Sequence, residues 1–144
     1  MLCCSVALFL FFYSGYDKID NLFGNLAGVF AIGVACIPIT KGPQLDTKGI
    51  IHYVCAILFF ITLIIFSTIL FVKSDKIQEK TAQKTLRNRI YRICGIVMII
   101  CLLTIALQEP LGLPKVIVFW GETVALFMFG VSWLTKGEAL FRDR

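Results

Sequence analysis

Charged residues are scarce in this 144-residue chain: Asp, Glu, Lys and Arg make up 16% of it, against 58% hydrophobic residues. Average proteins contain about 25% charged residues. This composition and a mean hydropathy of +0.86 therefore exclude an ordinary soluble domain and predict a membrane protein. Long stretches lack charge altogether, and a spanning helix needs about 20 mostly apolar residues to cross a hydrocarbon core of about 30 Å.

Histidine occurs once, as His52, and the spacings GxSxG, HExxH and the P-loop are absent from the sequence. A single His excludes a metal hydrolase site with several His ligands on this chain alone. The six cysteines all lie in apolar runs without a CxxC pair, which predicts small buried hydrophobic residues rather than a zinc cluster or a disulfide framework. We therefore expect no metal, no cofactor and no catalytic residue, and the sequence leans against an enzyme without deciding the question.

Apolar runs predict an all-α polytopic transmembrane helix bundle of about five spans, forming a single domain. The spans cover about residues 1–16, 21–40, 49–72, 93–108 and 116–135, with a basic loop at 73–92. The first run reaches only about 24 Å at about 1.5 Å per residue, so we expect a short or truncated helix there. A secretory signal peptide is the alternative, disfavoured because the run has neither a basic start nor a cleavage site of small residues.

Basic residues fall mainly on one predicted side of the membrane. Eleven of the 14 Lys and Arg lie in the loop 73–92, in the short segment around Lys18 or in the C-terminal tail, and three lie on the opposite side. Because cytoplasmic loops carry the excess of Lys and Arg, the distribution predicts the N-terminus outside and the C-terminus inside. The loop could also bind acidic lipid head groups, although topology alone explains its charge. The net charge of +5 needs no nucleic-acid partner.

Small residues predict where helices pack closely. Gly24 and Gly28 have GxxxG spacing in the second span, and Gly121 and Ala125 repeat the pattern more weakly in the last. Small side chains let two helix backbones approach in a membrane. The neighbouring helix can belong to the same chain or to a second copy, so a homo-oligomer is left open. The other expected partners are membrane lipids.

Five polar residues are expected near the outer membrane boundary. Glu122 lies about 10 Å, and His52 about 6 Å, inside that boundary by helix rise, while three further residues end other spans there: Thr40, Gln108 and Glu109. A carboxylate facing lipid is unfavourable by several kcal/mol, so Glu122 must turn inward, be protonated or have a partner. Our hypothesis is a His52–Glu122 pair in an outward-opening pocket that binds a lipid or small molecule. Its alternative is a structural hydrogen bond from Glu122, with His52 simply at the wet interface.

Other polar residues predict no site. Asp17 and Asp20 flank Lys18 in a short loop and are expected to be solvated turn residues. Ser67 and Ser132 lie towards the predicted cytoplasmic ends of their spans, and we expect their hydroxyls to bond to their own helices.

Four segments carry a resemblance: "GYDKIDNLFGNLAGVFAIGVACIPIT", "IHYVCAILFFITL", "RNRIYRICGIVMI" and "FWGETVALFMFGVSWLTKGEAL". They resemble an uncharacterised family of small bacterial polytopic membrane proteins, distantly similar to the DRAM/Frag-type group, over most of the chain. The resemblance implies a bacterial inner-membrane protein from which a preceding N-terminal helix and outer loop are missing. It also matches two groups of positions: the recurrent polar residues Asp17, Asp20, His52 and Glu122, and the end of the last span at Trp133, Lys136 and Gly137.

Three function classes remain open. The first is an integral membrane protein of undetermined activity that binds a lipid or small molecule. A small transporter or channel subunit is the second, indicated by the acidic group in a span. The third is a membrane-embedded hydrolase of a multi-His type such as the ceramidase-related superfamily, which requires further ligands from a missing N-terminus.

Overall fold

Every regular element in the computed structural model is helical. The structure describes residues 2–12, 18–38, 46–73 and 82–137, and no strand occurs within these ranges. In chain order the elements are α1 (Leu2–Phe11), α2 (Lys18–Cys36), α3 (Thr47–Ile65), a π-helical segment (Phe66–Leu70), α4 (Ala82–Ala106) and α5 (Val116–Lys136). The predicted all-α fold class is confirmed.

Within the described residues, four stretches are long and apolar enough to cross a membrane: Lys18–Cys36, Thr47–Leu70, Ala82–Ala106 and Val116–Lys136. They correspond to the second to fifth predicted spans. The first predicted span contains α1, whose 10 residues extend only about 15 Å at about 1.5 Å per residue. The chain thus has the helices of a multi-pass membrane protein, preceded by one shorter apolar helix.

The beginning of α4 differs from the sequence-based prediction. The helix begins at Ala82, inside the stretch 73–92 that we predicted as a loop. Gln, Lys, Leu and Arg are good helix formers, and no Gly or Pro interrupts residues 82–94. The basic stretch is therefore partly helical and continuous with the apolar part of α4.

The chain divides into two units, Met1–Leu63 and Ile64–Arg144. In the first unit α1 packs against α2. Gly24, Ala27, Gly28 and Ala31 are buried along one side of α2, and a Cβ atom added to Gly28 would lie 2.9 Å from ring carbons of Phe11. The small residues of α2 thus accommodate an aromatic side chain of α1.

An aromatic cluster forms the core of the second unit, where α4 and α5 pack together and the π-helical segment contacts both. The ring centroid of Phe71 lies 5.7 Å from those of Tyr91 and Trp133. Phe129 adds a ring 5.6 Å from Trp133, and Phe66 adds another 5.7 Å from Phe71. The unit is therefore held by large apolar rings donated by all three elements.

Two predictions about side-chain exposure are wrong. Asp20 is fully buried in the first turn of α2, not solvated. It faces the side of α2 that also buries Gly24 and Ala27, since residues four and seven apart share a helix face. The expected burial of the cysteines is right for Cys94 but wrong for Cys36, which is exposed in the last turn of α2. Asp17 lies outside the described residues.

Candidate functional site

The beginning of α3 positions His52. Asp46 precedes the helix, and its Oδ1 accepts a hydrogen bond of 2.8 Å from the backbone N–H of Gly49. This is the N-cap arrangement, in which a side-chain oxygen satisfies a backbone N–H that has no partner within the helix. Because the cap fixes where α3 begins, His52 lies in its second turn, half-buried.

His52 also closes the end of α2. Its Nδ1 lies 2.6 Å from the backbone oxygen of Ile37, the residue after the last turn of α2. Pro38 follows, and helices usually end at or before the residue that precedes a proline. The carbonyl of Ile37 therefore lies just beyond the last turn of α2, where helix carbonyls need partners from outside the helix. A carbonyl only accepts hydrogen bonds, so Nδ1 must carry the proton. The imidazole is thus oriented by its own unit, and Nε2 is its second polar atom.

The turn between α4 and α5 uses the backbone of Gln108 and Glu109. Gly112 has a φ of 61°, and the carbonyls of Gln108 and Glu109 accept hydrogen bonds from the N–H groups of Leu113 and Gly112. This pair of bonds around a left-handed glycine is the Schellman motif that ends helices. The side-chain Nε2 of Gln108 also donates to the oxygen of Leu113, at 2.5 Å. Gln108 therefore has a defined structural role, while the Glu109 side chain is exposed.

Glu122 lies in the second turn of α5 and is half-buried. It belongs to the second unit, as do Gln108 and Glu109, whereas His52 belongs to the first. Thr40, the remaining predicted site residue, lies outside the described residues. The His52–Glu122 pair stays a prediction from the sequence, and the two residues are best tested one at a time.

Small residues also lie at close helix contacts in the second unit. A Cβ atom added to Gly121 would lie 2.9 Å from side-chain carbons of Ile105 in α4, and Ala125 is fully buried one turn later. Gly95 in α4 faces Thr68 of the π-helical segment, where an added Cβ would collide with Cγ2 of the threonine. In the first unit, an added Cβ on Gly33 would lie 2.7 Å from Sγ of Cys55.

A buried chain of hydroxyl groups crosses the second unit and was missed by the sequence analysis. Ser67 Oγ donates to the backbone oxygen of Tyr91 at 2.9 Å. Its oxygen also lies 2.6 Å from Oγ of Ser132. Since the Ser67 proton is used on Tyr91, Ser132 must be the donor to Ser67. The prediction that these serines bond only to their own helices is wrong.

The π-helical geometry accompanies this chain of hydrogen bonds. The N–H of Phe71 donates to the oxygen of Phe66 at 2.9 Å, an i to i+5 bond, in place of the i to i+4 bond of an α-helix. The extra residue in the turn changes the direction of the side chains after it, and Ser67 and Ser132 are both fully buried. The indication in the sequence is the adjacent pair Ser67 and Thr68 within a run that is apolar apart from Thr62.

Metal ligands are not grouped anywhere in the part of the chain that the structure describes: no three His, Cys, Asp or Glu residues lie together there. Among the described residues, the polar groups that we consider further are the oriented imidazole of His52 in the first unit, and Glu122 with the two bonded serines in the second.

Comparison with known proteins identifies one family. The family whose model matches residues 21–132 is described as "Protein of unknown function (DUF998)". The matched range contains His52, Glu122 and both serines. No curated protein and no solved structure matches the chain.

Proposed function

We propose that this chain, which belongs to the DUF998 family of proteins of unknown function, is a multi-pass protein of the bacterial inner membrane that binds a lipid or small molecule through polar side chains near the outer boundary. The proposal includes the orientation inferred from the basic residues, N-terminus outside and C-terminus inside. It also includes the distant similarity to the DRAM/Frag-type group.

One observation supports this proposal most directly, the hydrogen bond from His52 Nδ1 to the oxygen of Ile37. A binding group works best when its orientation is fixed before the ligand arrives, because less conformational entropy is then lost on binding. The bond orients the ring and assigns the proton to Nδ1, so a neutral ring would offer Nε2 as a hydrogen-bond acceptor. Glu122 is the second candidate, because it is half-buried and an ionisable residue within a membrane span is by default a candidate for function.

Two substitutions of His52 separate binding from structure. In His52→Asn the amide nitrogen can replace Nδ1 at Ile37, but nothing replaces Nε2. His52→Gln extends the amide nearer the position of Nε2 and removes the donor to Ile37. Thermal unfolding of the detergent-purified protein is measured with and without bacterial lipid extract, since a ligand that binds the folded state raises its stability.

If His52 binds the ligand, His52→Asn keeps the lipid-free unfolding temperature of the wild type and shows a smaller increase than the wild type on adding lipid. Glu122→Gln, measured from pH 5 to 8, is expected to show a smaller increase as well. Asp46→Asn is the matched control, because it removes an exposed carboxylate while Asn still caps the helix. Wild-type lipid responses in both His52→Asn and Glu122→Gln would reduce these residues to structural roles and contradict the proposal.

Transport is the second candidate function, favoured by the π-helical segment that forms the last five residues of the spanning stretch Thr47–Leu70. π-helical turns are frequent at functional sites, and irregular helices in membranes are a feature of transporters. Proton flux into proteoliposomes, followed with an enclosed pH-sensitive dye, tests this candidate. A flux that Glu122→Gln abolishes would favour transport, whereas wild-type vesicles no leakier than protein-free ones would exclude proton movement.

A further inference from the structure

The outward side of α4 changes from basic to apolar within one turn. Arg89 and Arg92 are both exposed and, being three residues apart, lie on the same side of the helix. Ile93 and Ile96 follow on that side, four residues after Arg89 and Arg92 respectively, with exposed fractions of 53% and 54%. Two cationic groups therefore adjoin a strip of exposed aliphatic side chains.

The length of α4 indicates the depth of these arginines. Its apolar part, residues 93–106, extends about 21 Å at about 1.5 Å per residue, whereas the hydrocarbon core is about 30 Å thick. A span that is too short brings its flanking residues to the hydrocarbon boundary, where long cationic side chains reach the head groups. The basic end of α4 is its N-terminus, and helix side chains tilt towards the N-terminus. Both guanidinium groups are thus directed towards the head-group layer.

The partners of Arg89 and Arg92 differ from those of the neighbouring basic residues. Neither has a hydrogen bond or an ion pair with a residue in the described ranges, whereas Lys84 and Arg87 are half-buried and interact with neighbouring groups. A guanidinium is a planar group with several N–H donors that can bind two phosphate oxygens at once. The pair therefore has the charge and the donor geometry that an anionic phosphate needs, next to a surface that suits an acyl chain.

We propose that Arg89, Arg92, Ile93 and Ile96 form a binding surface for one anionic phospholipid. The phosphate pairs with the two guanidinium groups, and an acyl chain lies along the isoleucines. This surface uses residues different from His52 and Glu122, so it stands independently of the function proposed above.

Lipid binding is measured by native mass spectrometry of the full chain in neutral detergent, titrated with dioleoyl phosphatidylglycerol or dioleoyl phosphatidylcholine. Arg89→Gln/Arg92→Gln removes the proposed phosphate ligands. Lys48→Gln/Lys115→Gln is the matched control, because it removes two exposed positive charges elsewhere on the chain. Each basic residue near an anionic lipid strengthens binding about fivefold, so the arginine pair is expected to weaken phosphatidylglycerol binding about 25-fold.

The control is expected to bind phosphatidylglycerol within about twofold of the wild type, since its charges lie outside the surface. Phosphatidylcholine is expected to bind more weakly than phosphatidylglycerol to the wild type and equally to all variants. If Arg89→Gln/Arg92→Gln does not fold, Arg89→Lys/Arg92→Lys keeps the charge and loses the two-point geometry, and weaker phosphatidylglycerol binding is again expected.

Five results would overturn the proposal. These are an equal loss in the lysine control, equal affinity of the wild type for the two lipids, and unchanged phosphatidylglycerol binding in the arginine-to-lysine pair. The fourth is full competition by free glycerol 3-phosphate, which would indicate a phosphate site without a lipid chain. The fifth is a dimer that native mass spectrometry detects for the wild type but not for Arg89→Gln/Arg92→Gln. Such a dimer would indicate that a second copy of the chain, not a lipid, occupies this surface.

Discussion

Removing the hydroxyl of Ser67 is expected to destabilise the second unit more than removing that of Ser132. Ser67→Ala deletes two hydrogen bonds between helices, the one it donates to Tyr91 and the one it accepts from Ser132. Such bonds contribute about 0.6 kcal/mol each on average in membrane helices. The Ser132 hydroxyl is then left in a fully buried position, and an unsatisfied buried group adds about 1–3 kcal/mol. Re-bonding of Ser132 to its own helix would offset part of this, so we expect a loss of about 1–3 kcal/mol.

Ser132→Ala removes a single bond and leaves Ser67 bonded to Tyr91, so a loss of about 0.6 kcal/mol is expected. The double variant has no unbonded Ser132 hydroxyl, so its loss of unfolding free energy should not exceed that of Ser67→Ala. The effects are therefore expected to be less than additive, as is usual for groups in one hydrogen-bond network.

Equilibrium unfolding in mixed micelles of SDS and mild detergent, followed by tryptophan fluorescence, measures these differences. Trp133 packs against Phe71 in the core, and replacing the exposed Trp120 by Phe leaves Trp133 as the only reporter. Thr104→Ala is the control, since Thr104 is exposed and its hydroxyl bonds to Ile100 in its own helix; a change within about 0.5 kcal/mol is expected. Strictly additive losses, or a Ser67→Ala variant as stable as the control, would refute the proposed chain of hydrogen bonds.

Glycine substitutions test the close helix contacts by the same unfolding assay. Gly95→Ala is expected to destabilise by about 1–3 kcal/mol through overpacking against Thr68, and adding Thr68→Ser should restore much of the loss, because it deletes the colliding methyl group. Gly33→Ala is expected to destabilise in a similar way, since its added Cβ meets a side chain of α3. Gly130→Ala has open space around its added Cβ and should stabilise α5 by about 0.5–1 kcal/mol, the helix preference of Ala over Gly. Gly112→Ala should destabilise by about 1–2 kcal/mol, because its φ of 61° suits glycine. Destabilisation by Gly130→Ala equal to that by Gly95→Ala would show that local packing does not decide these effects.

The helices themselves were predictable because lipid imposes a simple requirement. A backbone in hydrocarbon must satisfy its own hydrogen bonds, so a long apolar run is nearly always a helix. The four long helices follow from that rule. The beginning of α4 at Ala82 was missed because hydropathy marks the boundary of the apolar span. It does not show how far the helix continues into the polar residues beyond that boundary. Helix propensity was the better guide there, since Gln83, Lys84 and Leu86 all favour a helix.

It was much harder to predict which residues of different helices contact or hydrogen-bond to each other. Asp20 was predicted to be a solvated turn residue because it lies close to Lys18 in a short polar segment, yet it lies in the first turn of α2 on the buried side of that helix. Assigning it correctly would have required the first residue of α2, because one residue of shift turns a helical side chain by about 100°. His52 was selected for its depth and its chemistry, but its bond to Ile37 depends on the turn between α2 and α3, where Pro38 marks only the end of a helix.

Serine and threonine hydroxyls in the described residues bond either within their own helix or to another element. Five threonines donate to the carbonyl four residues earlier in their own helix: Thr62, Thr68, Thr104, Thr123 and Thr135. A hydroxyl satisfied in this way is tolerated on either side of a helix, and accordingly Thr104 is exposed whereas Thr135 is fully buried.

Ser67 and Ser132 differ because their hydrogen bonds run between elements. Rotating the π-helical segment or α5 about its axis would break these bonds and expose a hydroxyl to lipid, where an unsatisfied polar group is unfavourable by several kcal/mol. Apolar rings in the surrounding cluster can repack after a rotation with little loss, since lipid is about as apolar as they are. The two serines, more than the larger aromatic residues, therefore determine which faces of the π-helical segment, α4 and α5 meet.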